Sequence, residues 1–278
     1  MAHFAFPPRA SFRKGDRISC GSAAILSDKS TEELADYVAK WHGHLNRWFG
    51  PRMDVAGKRV LVIGSQYGPE ILWALRNGAR EVVGLDPENC SSDALLLALD
   101  RLGLGDRRSA FRMIAATTHE AGDIGTFDYV MSNNVFEHVE ALSHTLRSTA
   151  RFLPDPGGRL VIFADPLFLS SQGHHTRLDA WEHLTKSQEA IRAIVPPRQY
   201  EAYRATLNGM TLTSFLEAVR EAGLLLLDLG IVPDRALDRF GEIAPQLPPG
   251  LKPMDLCVEG LVCTLAFPHN LSPHQTRA

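Results

Sequence analysis

The chain of 278 residues is built around residues 58–88, KRVLVIGSQYGPEILWALRNGAREVVGLDPE. Residues 59–63 are a short apolar run rich in β-branched side chains, and the turn at residues 64–68 begins and ends with glycine. Residues 69–77 place apolar side chains at helical spacing, and residues 81–85 form a second apolar run. The pattern predicts a strand, a tight turn, a helix and a second strand.

The second predicted strand is followed by Asp86, 22 residues after Gly64. At this distance a carboxylate on the neighbouring strand can accept hydrogen bonds from a ribose diol. Glycines in the turn let the backbone approach a ligand closely, and amides at the start of the next helix can donate to a negatively charged group. The unit therefore predicts a site for a nucleotide-like ligand.

Two later stretches extend the pattern: FDYVMSNNVFEHV at residues 127–139 and LPDPGGRLVIF at residues 153–163. With residues 58–88 they resemble three motifs of the class I S-adenosylmethionine-dependent methyltransferases, in the same order and at similar intervals. The first motif of that family usually reads hydrophobic-hydrophobic-acid-hydrophobic-G-x-G-x-G. In this chain Val62 occupies the position of the acid, and Gln66 that of the middle glycine.

The resemblance implies an α/β fold, with a doubly wound, mostly parallel seven-stranded Rossmann-like sheet and a helical cap insertion after strand five. It also implies S-adenosyl-L-methionine as cofactor. Residues 64–68 would hold its methionine part, Asp86 its ribose hydroxyls, and Thr117 occupies the position of an acid that meets the adenine amine. The cofactor-binding residues implied in this way are Gly64, Ser65, Gln66, Tyr67, Gly68, Asp86, Pro87, Thr117 and Asn133.

Asn133 and Asn134 follow the fourth predicted strand. In an open parallel sheet, ligands bind beyond the carboxyl ends of the strands, so we expect both residues near the reacting methyl group. The next pair, Glu137 and His138, has two interpretations: a polar pair that supports the start of a helix, or a pair that contains a catalytic base.

Residues 167–210 lie where the family inserts its substrate-recognition element, and their start is rich in polar side chains. Methylation of a hydroxyl requires removal of a proton, and histidine titrates near neutral pH. His174 and His175 are therefore the first candidates for the catalytic base, and His138 is the third. Alternatively, the adjacent histidines cap a turn of the lid by hydrogen bonding.

Metal binding is a further alternative for this segment, with Asp165 or His183 as additional ligands. The spacing of these residues gives no support for a metal-binding helix, so we predict no metal site. Four cysteines without C-x-x-C spacing indicate neither a disulfide framework nor a zinc site, and Cys257 and Cys263 are expected inside the last strand.

The composition limits the class of protein and its partners. The formal net charge is −3, with 45% hydrophobic and 22% charged residues. These values are typical of a soluble globular protein and give no basic surface for a nucleic acid. No apolar leader or transmembrane segment is visible, so we predict no membrane association and a cytoplasmic location. The expected partner is a small-molecule acceptor, with a homodimer as an open possibility.

The pattern predicts three regions: an arm at residues 1–29, a methyltransferase-like domain at residues 30–267 that contains the cap at residues 167–210, and a tail at residues 268–278. The arm is interpreted as a loose terminus, or as a flap or dimer contact. A capping box predicts a helix from Ser30 to about Phe49. Other helices are predicted at residues 91–102, 211–222 and 235–243, and other strands at residues 111–115, 224–232 and 256–267.

The predicted function is methyl transfer from S-adenosylmethionine to a hydroxyl, or with less support to an amine, of a small molecule. Two rival functions stay open. One is a protein of the same fold that binds the cofactor or a small ligand without methylating it, which the altered glycine turn suggests. The other is a nicotinamide-dependent oxidoreductase, against which the stretch at residues 127–139 argues.

Overall fold

A computed structural model describes most of the chain, namely residues 26, 28–88, 91–154, 157–173, 175–176 and 178–268. Most of the predicted arm, the candidate base His174 and the tail after Pro268 lie outside the described residues. No described helix is long and apolar enough to cross a bilayer.

Seven strands form one sheet in the order β3-β2-β1-β4-β5-β7-β6. The strands are β1 Arg59–Ile63, β2 Glu81–Leu85, β3 Phe111–Ile114, β4 Tyr129–Asn133, β5 Arg159–Ala164, β6 Leu225–Pro233 and β7 Val258–Ala266. β1 to β5 pair in parallel, whereas β7 is antiparallel to both β5 and β6. The strand order reverses at β1, which lies between β2 and β4, and ligands bind at such a point in open α/β sheets.

Helices cover both faces of the sheet. They are α1 Thr31–Lys40, α2 His42–Phe49, α3 Pro69–Arg76, α4 Asp93–Arg101, α5 Leu142–Thr149, α6 Glu182–Thr185, α7 Gln188–Ile194, α8 Pro197–Thr206, α9 Leu212–Glu221, α10 Phe240–Ile243 and α11 Pro253–Cys257. Short 3-10 helices occur at Gly105–Ala110, Ala150–Phe152, Leu237–Arg239 and Ala244–Gln246.

Alternate side chains of β1 lie in two different cores. Val60 and Val62 pack with residues of α1 to α4, whereas Leu61 and Ile63 pack with residues of α5 and α9. This alternation follows from the two-residue period of a strand, and it buries both faces of a parallel sheet. The predicted doubly wound sheet is confirmed.

The predicted cap after β5 is also helical and contains α6, α7 and α8. Trp181 is fully buried in it, in an apolar cluster that also includes Phe168, Ile191 and Tyr203. Asn208 joins the end of the cap to the loop after β4, because its backbone amide donates to the carbonyl oxygen of Glu137 at 2.9 Å. The cap therefore lies over the carboxyl end of the sheet.

Two predictions about local structure are wrong. The single helix expected from Ser30 to Phe49 is divided at Trp41 into α1 and α2, although the predicted capping box of Ser30 and Glu33 is present. Cys257 ends α11 instead of lying in a strand, because Pro253, whose fixed φ suits a first helical turn, begins a short helix there. Cys263 lies in β7 as expected.

Candidate active site

A cavity of about 680 Å³ lies beyond the carboxyl ends of β1, β2, β4 and β5. Its size is within the range of pockets for small molecules. Eight of the residues predicted from the sequence line it: Gly64, Gln66, Asp86, Pro87, Thr117, Asn133, His138 and His175. Residues of the cap, Ala205 and Thr206, complete the lining on one side.

The turn after β1 depends on the absence of a side chain at Gly64. Its φ is +73°, and a Cβ atom there would lie 2.2 Å from Cγ2 of Val135 in the loop after β4. Glycine therefore permits both the left-handed backbone and the close approach of the two loops. Gln66, at the position of the family's middle glycine, also has a positive φ, of 38°.

Ser65, Tyr67 and Gly68 do not line the cavity. The Ser65 side chain lies against β2, where a Cβ atom added to Gly84 would be 2.6 Å from its hydroxyl oxygen. Tyr67 packs against the core on the α1 to α4 side, and Gly68 precedes the first turn of α3. Their predicted roles in cofactor binding stay predictions.

Asp86 is 7% exposed and lies at the end of β2. Its Oδ2 accepts a hydrogen bond from the backbone amide of Gln66 at 3.0 Å, and its Oδ1 accepts one from the amide of Glu88 at 2.9 Å. Burial raises the pKa of Asp86, and these two amide donors oppose that effect. Each oxygen keeps a second lone pair, so the carboxylate can still accept hydrogen bonds from a diol in the cavity.

Glu70, which sequence reasoning missed, is a buried carboxyl at the start of α3. Its Oε1 accepts a hydrogen bond from Nδ2 of Asn133 at 2.9 Å, and burial raises the pKa of Glu70 to about 7. Oδ1 of Asn133 has no hydrogen-bond partner among the described residues. Only the position of Glu70 in the sequence indicated a place in the site, since a residue in the first turn of this helix must lie beside the glycine turn.

His138 belongs to the loop after β4 and contacts the cap. Its Nδ1 is 3.3 Å from the carbonyl oxygen of Thr206 in the cap. A carbonyl oxygen can only accept a hydrogen bond, so in the neutral ring Nδ1 carries the proton and Nε2 is the basic nitrogen. Nε2 is 3.9 Å from Oε1 of Glu137.

His175 lies in the first part of the cap, and its ring meets that of His138 edge-on at 5.4 Å between centroids. Nε2 of His175 is 3.2 Å from the carbonyl oxygen of Pro166, so the same argument makes Nδ1 its basic nitrogen. Burial lowers the pKa of His175 to about 4. The ring is therefore neutral at neutral pH.

Asp165 follows β5 and lines the cavity. Its backbone amide donates to Oδ1 of Asn134 at 3.0 Å, which joins the ends of β4 and β5. Burial and the charge of Glu259 raise the pKa of Asp165 to about 6. The metal alternative for Asp165 and His183 finds no support in the described residues, where no group of three His, Cys, Asp or Glu side chains is arranged to hold an ion.

Thr117 lines the far end of the cavity, and its hydroxyl donates to Oε2 of Glu120 at 2.9 Å. Two exposed histidines lie beside it, His119 and His144, whose rings stack with centroids 4.2 Å apart. Sequence reasoning missed this pair, because the two residues are 25 positions apart and no pattern links them.

These features define a class of protein: an α/β enzyme with a nucleotide-like cofactor site at the β1 turn and a second compartment under a cap. The comparisons agree with this class. A family model described as "Methyltransferase domain" matches residues 33–229, so the chain belongs to that family. No curated protein sequence matches the chain.

Two solved structures have a similar fold. One is an S-adenosylmethionine-dependent methyltransferase from Mesorhizobium loti, with 18% identity, coverage of 83% of this chain and 99% of that one, and a TM-score of 0.51. The other is phosphoethanolamine N-methyltransferase 2 from Haemonchus contortus in complex with S-adenosyl-L-methionine. It has 16% identity, coverage of 92% of this chain and 61% of that one, and a TM-score of 0.52. The predicted enzyme class, an S-adenosylmethionine-dependent methyltransferase, and its cofactor are confirmed at the level of family and fold.

Proposed function

We propose that the protein transfers the methyl group of S-adenosylmethionine to a hydroxyl group of a small molecule. The observation that carries this proposal is that Gly64, Gln66 and Asp86 line the same cavity as His138 and residues of the cap. A cofactor and an acceptor held there would meet, and in-line methyl transfer requires such contact.

The residues of the first compartment fit the cofactor. Asp86 offers acceptor positions for ribose hydroxyls, while Glu70 and the unpartnered Oδ1 of Asn133 offer acceptor positions for an amino group. Val62, at the family's acidic position, is fully buried in the core and offers none. When bound, the cofactor supplies an electrophilic methyl group on a sulfonium.

His138 is the better supported of the described candidate bases. The carbonyl of Thr206 orients its ring so that Nε2 is the basic nitrogen, whereas burial lowers the pKa of His175 to about 4. A base is most effective when its pKa is near the working pH, so His175 is poorly matched to removing a proton at neutral pH. His175 would instead support His138 by packing against its ring.

An amine is the second candidate acceptor, and the charge of the cavity favours it. The carboxyl groups of the lining belong to Glu70, Asp86, Glu88, Glu137, Glu140 and Asp165. Among the described residues that line the cavity, none is a lysine or an arginine. This charge disfavours an acceptor with a carboxylate or phosphate group. A homodimer and a cytoplasmic location stay predictions.

The first test is calorimetric titration with S-adenosylhomocysteine, with NAD as the control for the oxidoreductase alternative. We expect binding of S-adenosylhomocysteine alone. Binding of NAD alone, or of neither ligand, would contradict the proposed function.

The second test measures S-adenosylhomocysteine release from S-adenosylmethionine with panels of phenols, alcohols and amines. His138→Asn preserves a donor near the Nδ1 position but removes the basic nitrogen, so we expect kcat to fall about 100-fold or more. His175→Gln preserves a donor to Pro166, and we expect kcat to stay within a few fold. Full activity of His138→Asn would eliminate it as the base, and binding without turnover of any acceptor would favour the non-methylating alternative.

A further inference from the structure

The carboxyl group of Glu137 is buried without a hydrogen-bond partner. The residue is 2% exposed, and neither Oε1 nor Oε2 has a partner among the described residues. An unsatisfied buried polar group costs about 1–3 kcal/mol, and more if it is charged. Such groups are rare in folded proteins, and a functional role is one explanation for them.

A second carboxyl group lies near the first. Asp165 follows β5, next to the strand that leads into the Glu137 loop, and both residues line the cavity. Burial, followed by the charge of Asp165, raises the pKa of Glu137 to about 8. The two groups therefore disfavour each other's charged form.

No lysine or arginine in the described part of the chain is hydrogen-bonded to either carboxyl group. Arg235 lowers the pKa of Asp165, but its guanidinium group is bonded to the buried carboxylate of Glu259. His138 Nε2 is 3.9 Å from Glu137 Oε1, beyond hydrogen-bond distance. Among the described residues, Glu137 therefore lacks a hydrogen-bond donor.

We propose that Glu137 and Asp165 form a subsite for a protonated amine of the acceptor molecule. This inference rests on the proposed function and names the class of its substrate. The N–H groups of an ammonium ion can donate to the unpartnered oxygens of Glu137, and its positive charge favours the ionised forms of both carboxyl groups. A neutral hydroxyl would supply one donor without offsetting charge.

The position of Glu137 assigns the subsite to the acceptor instead of the cofactor. Its carbonyl oxygen accepts from the amide of Asn208, at the end of the cap, at 2.9 Å. The acceptor positions for the amino group of the cofactor belong to Glu70 and Asn133, at the start of α3 and the end of β4. Glu137 therefore lies on the cap side of the cavity.

The test uses three probes with one apolar body and different charge: cyclohexylmethylammonium, cyclohexylmethanol and cyclohexanecarboxylate. Their binding to the full-length protein is measured by ligand-observed NMR, with and without saturating S-adenosylhomocysteine. We expect the ammonium probe to bind at least about tenfold more tightly than the alcohol, and the carboxylate to bind most weakly. S-adenosylhomocysteine should not displace the ammonium probe.

The variant Glu137→Gln removes the ionisable group and retains the shape of the side chain. We expect it to weaken binding of the ammonium probe about tenfold or more, to change binding of the alcohol less than about twofold, and to leave S-adenosylhomocysteine affinity unchanged. The control is Glu140→Gln, which removes an exposed carboxylate from the same loop and from the lining of the same cavity. It should weaken the binding of every probe less than Glu137→Gln weakens the binding of the ammonium probe.

Three results would overturn the subsite: no preference for the ammonium probe, an equal loss in both variants, or loss of S-adenosylhomocysteine affinity in Glu137→Gln. The last result would mean that this carboxyl group serves the cofactor. Failure of the wild-type protein to bind S-adenosylhomocysteine would instead contradict the proposed function. The probes are also measured without S-adenosylhomocysteine, so a failure of the proposed function can be distinguished from a failure of the amine subsite.

Discussion

Asp86 has a structural role and a proposed binding role at the same time. Its two oxygens accept from the amides of Gln66 and Glu88, so the carboxylate holds the glycine turn and the segment after β2 in place around the cavity. In the proposed binding role, the remaining lone pairs accept hydrogen bonds from the ribose hydroxyls of the cofactor. Loss of the side chain would therefore affect both the shape of the site and its hydrogen-bond acceptors.

We predict that Asp86→Ala weakens S-adenosylhomocysteine binding by about 1.5–3 kcal/mol, the range for hydrogen bonds to a charged group. Isothermal titration measures this change. The control Asp93→Ala removes an exposed carboxylate from the first turn of α4, outside the cavity lining, and should leave the affinity unchanged. Equal affinity of Asp86→Ala and the wild-type protein would remove the ribose role.

The roles of single residues were predicted from the sequence only where their distance from a recognised motif indicated them. Asp86 was predicted because it follows a glycine turn at a defined distance. Glu70 was missed, because the sequence does not show that a charged residue in a helix is buried. Ser65 was predicted to bind the cofactor as part of the turn, and its side chain packs against β2, since a five-residue turn directs its side chains in ways that sequence spacing does not specify.

The turn after β1 and the loop after β4 behave as one unit, because Val135 occupies the space in front of Gly64. A side chain at residue 64 would have two separate costs. One is the clash with Val135, and the other is the positive φ of +73°, which L-residues other than glycine rarely adopt. The two costs can be separated by a double-mutant cycle.

We predict that Gly64→Ala lowers the free energy of unfolding by about 2–3 kcal/mol, from overpacking and backbone strain together. Val135→Ala in the same chain should restore part of this loss, because it removes the Cγ atoms that clash but not the strain at φ. Urea unfolding of the four proteins in the cycle measures the coupling. Strictly additive effects would mean that the two loops do not contact each other in this way.

Secondary structure was predicted well where the apolar pattern was long. The runs that became β1, β2, β4 and β5 alternate with glycine turns and helical patterns, and this arrangement specifies a parallel sheet. The division of the first helix at Trp41 was not predicted, because its apolar stripe continues through the break. The boundaries of the three predicted regions stay predictions.

Ionisable groups of the cavity connect the site to the stability of the whole fold. In the folded protein Glu137 and Glu70 have raised pKa values, of about 8 and 7. Their contribution to the free energy of unfolding is therefore fully present below about pH 4.5, the pKa of the unfolded chain. It is lost as the pH rises through the folded-state pKa values. The contribution of His175 to stability depends on pH with the opposite sign. Its pKa is lowered to about 4, so its contribution is present above about pH 6.5 and is lost as the pH falls.

The last prediction tests this link with Glu137→Gln, whose side chain cannot ionise. Between about pH 4.5 and 8 the unfolded chain releases the Glu137 proton while the folded protein retains it, so the wild-type free energy of unfolding decreases with rising pH. We therefore expect the variant to be more stable than the wild-type protein by a margin that grows from pH 5 to pH 8, reaching a few kcal/mol. Thermal unfolding in matched buffers measures this margin.

Neighbouring groups determine how the result is interpreted. Asp165 and His175 line the same cavity, and their pKa values are also shifted by burial, so both proteins should retain some pH dependence. The charge of Asp165 acts on Glu137 as well, so the margin includes this coupling. Glu140→Gln, at an exposed position of the same loop, provides the control for the loss of one carboxyl group. A constant margin from pH 5 to pH 8 would show that Glu137 titrates normally. The cavity would then have to satisfy the Glu137 carboxylate without a ligand, and the reason for placing an amine there would disappear.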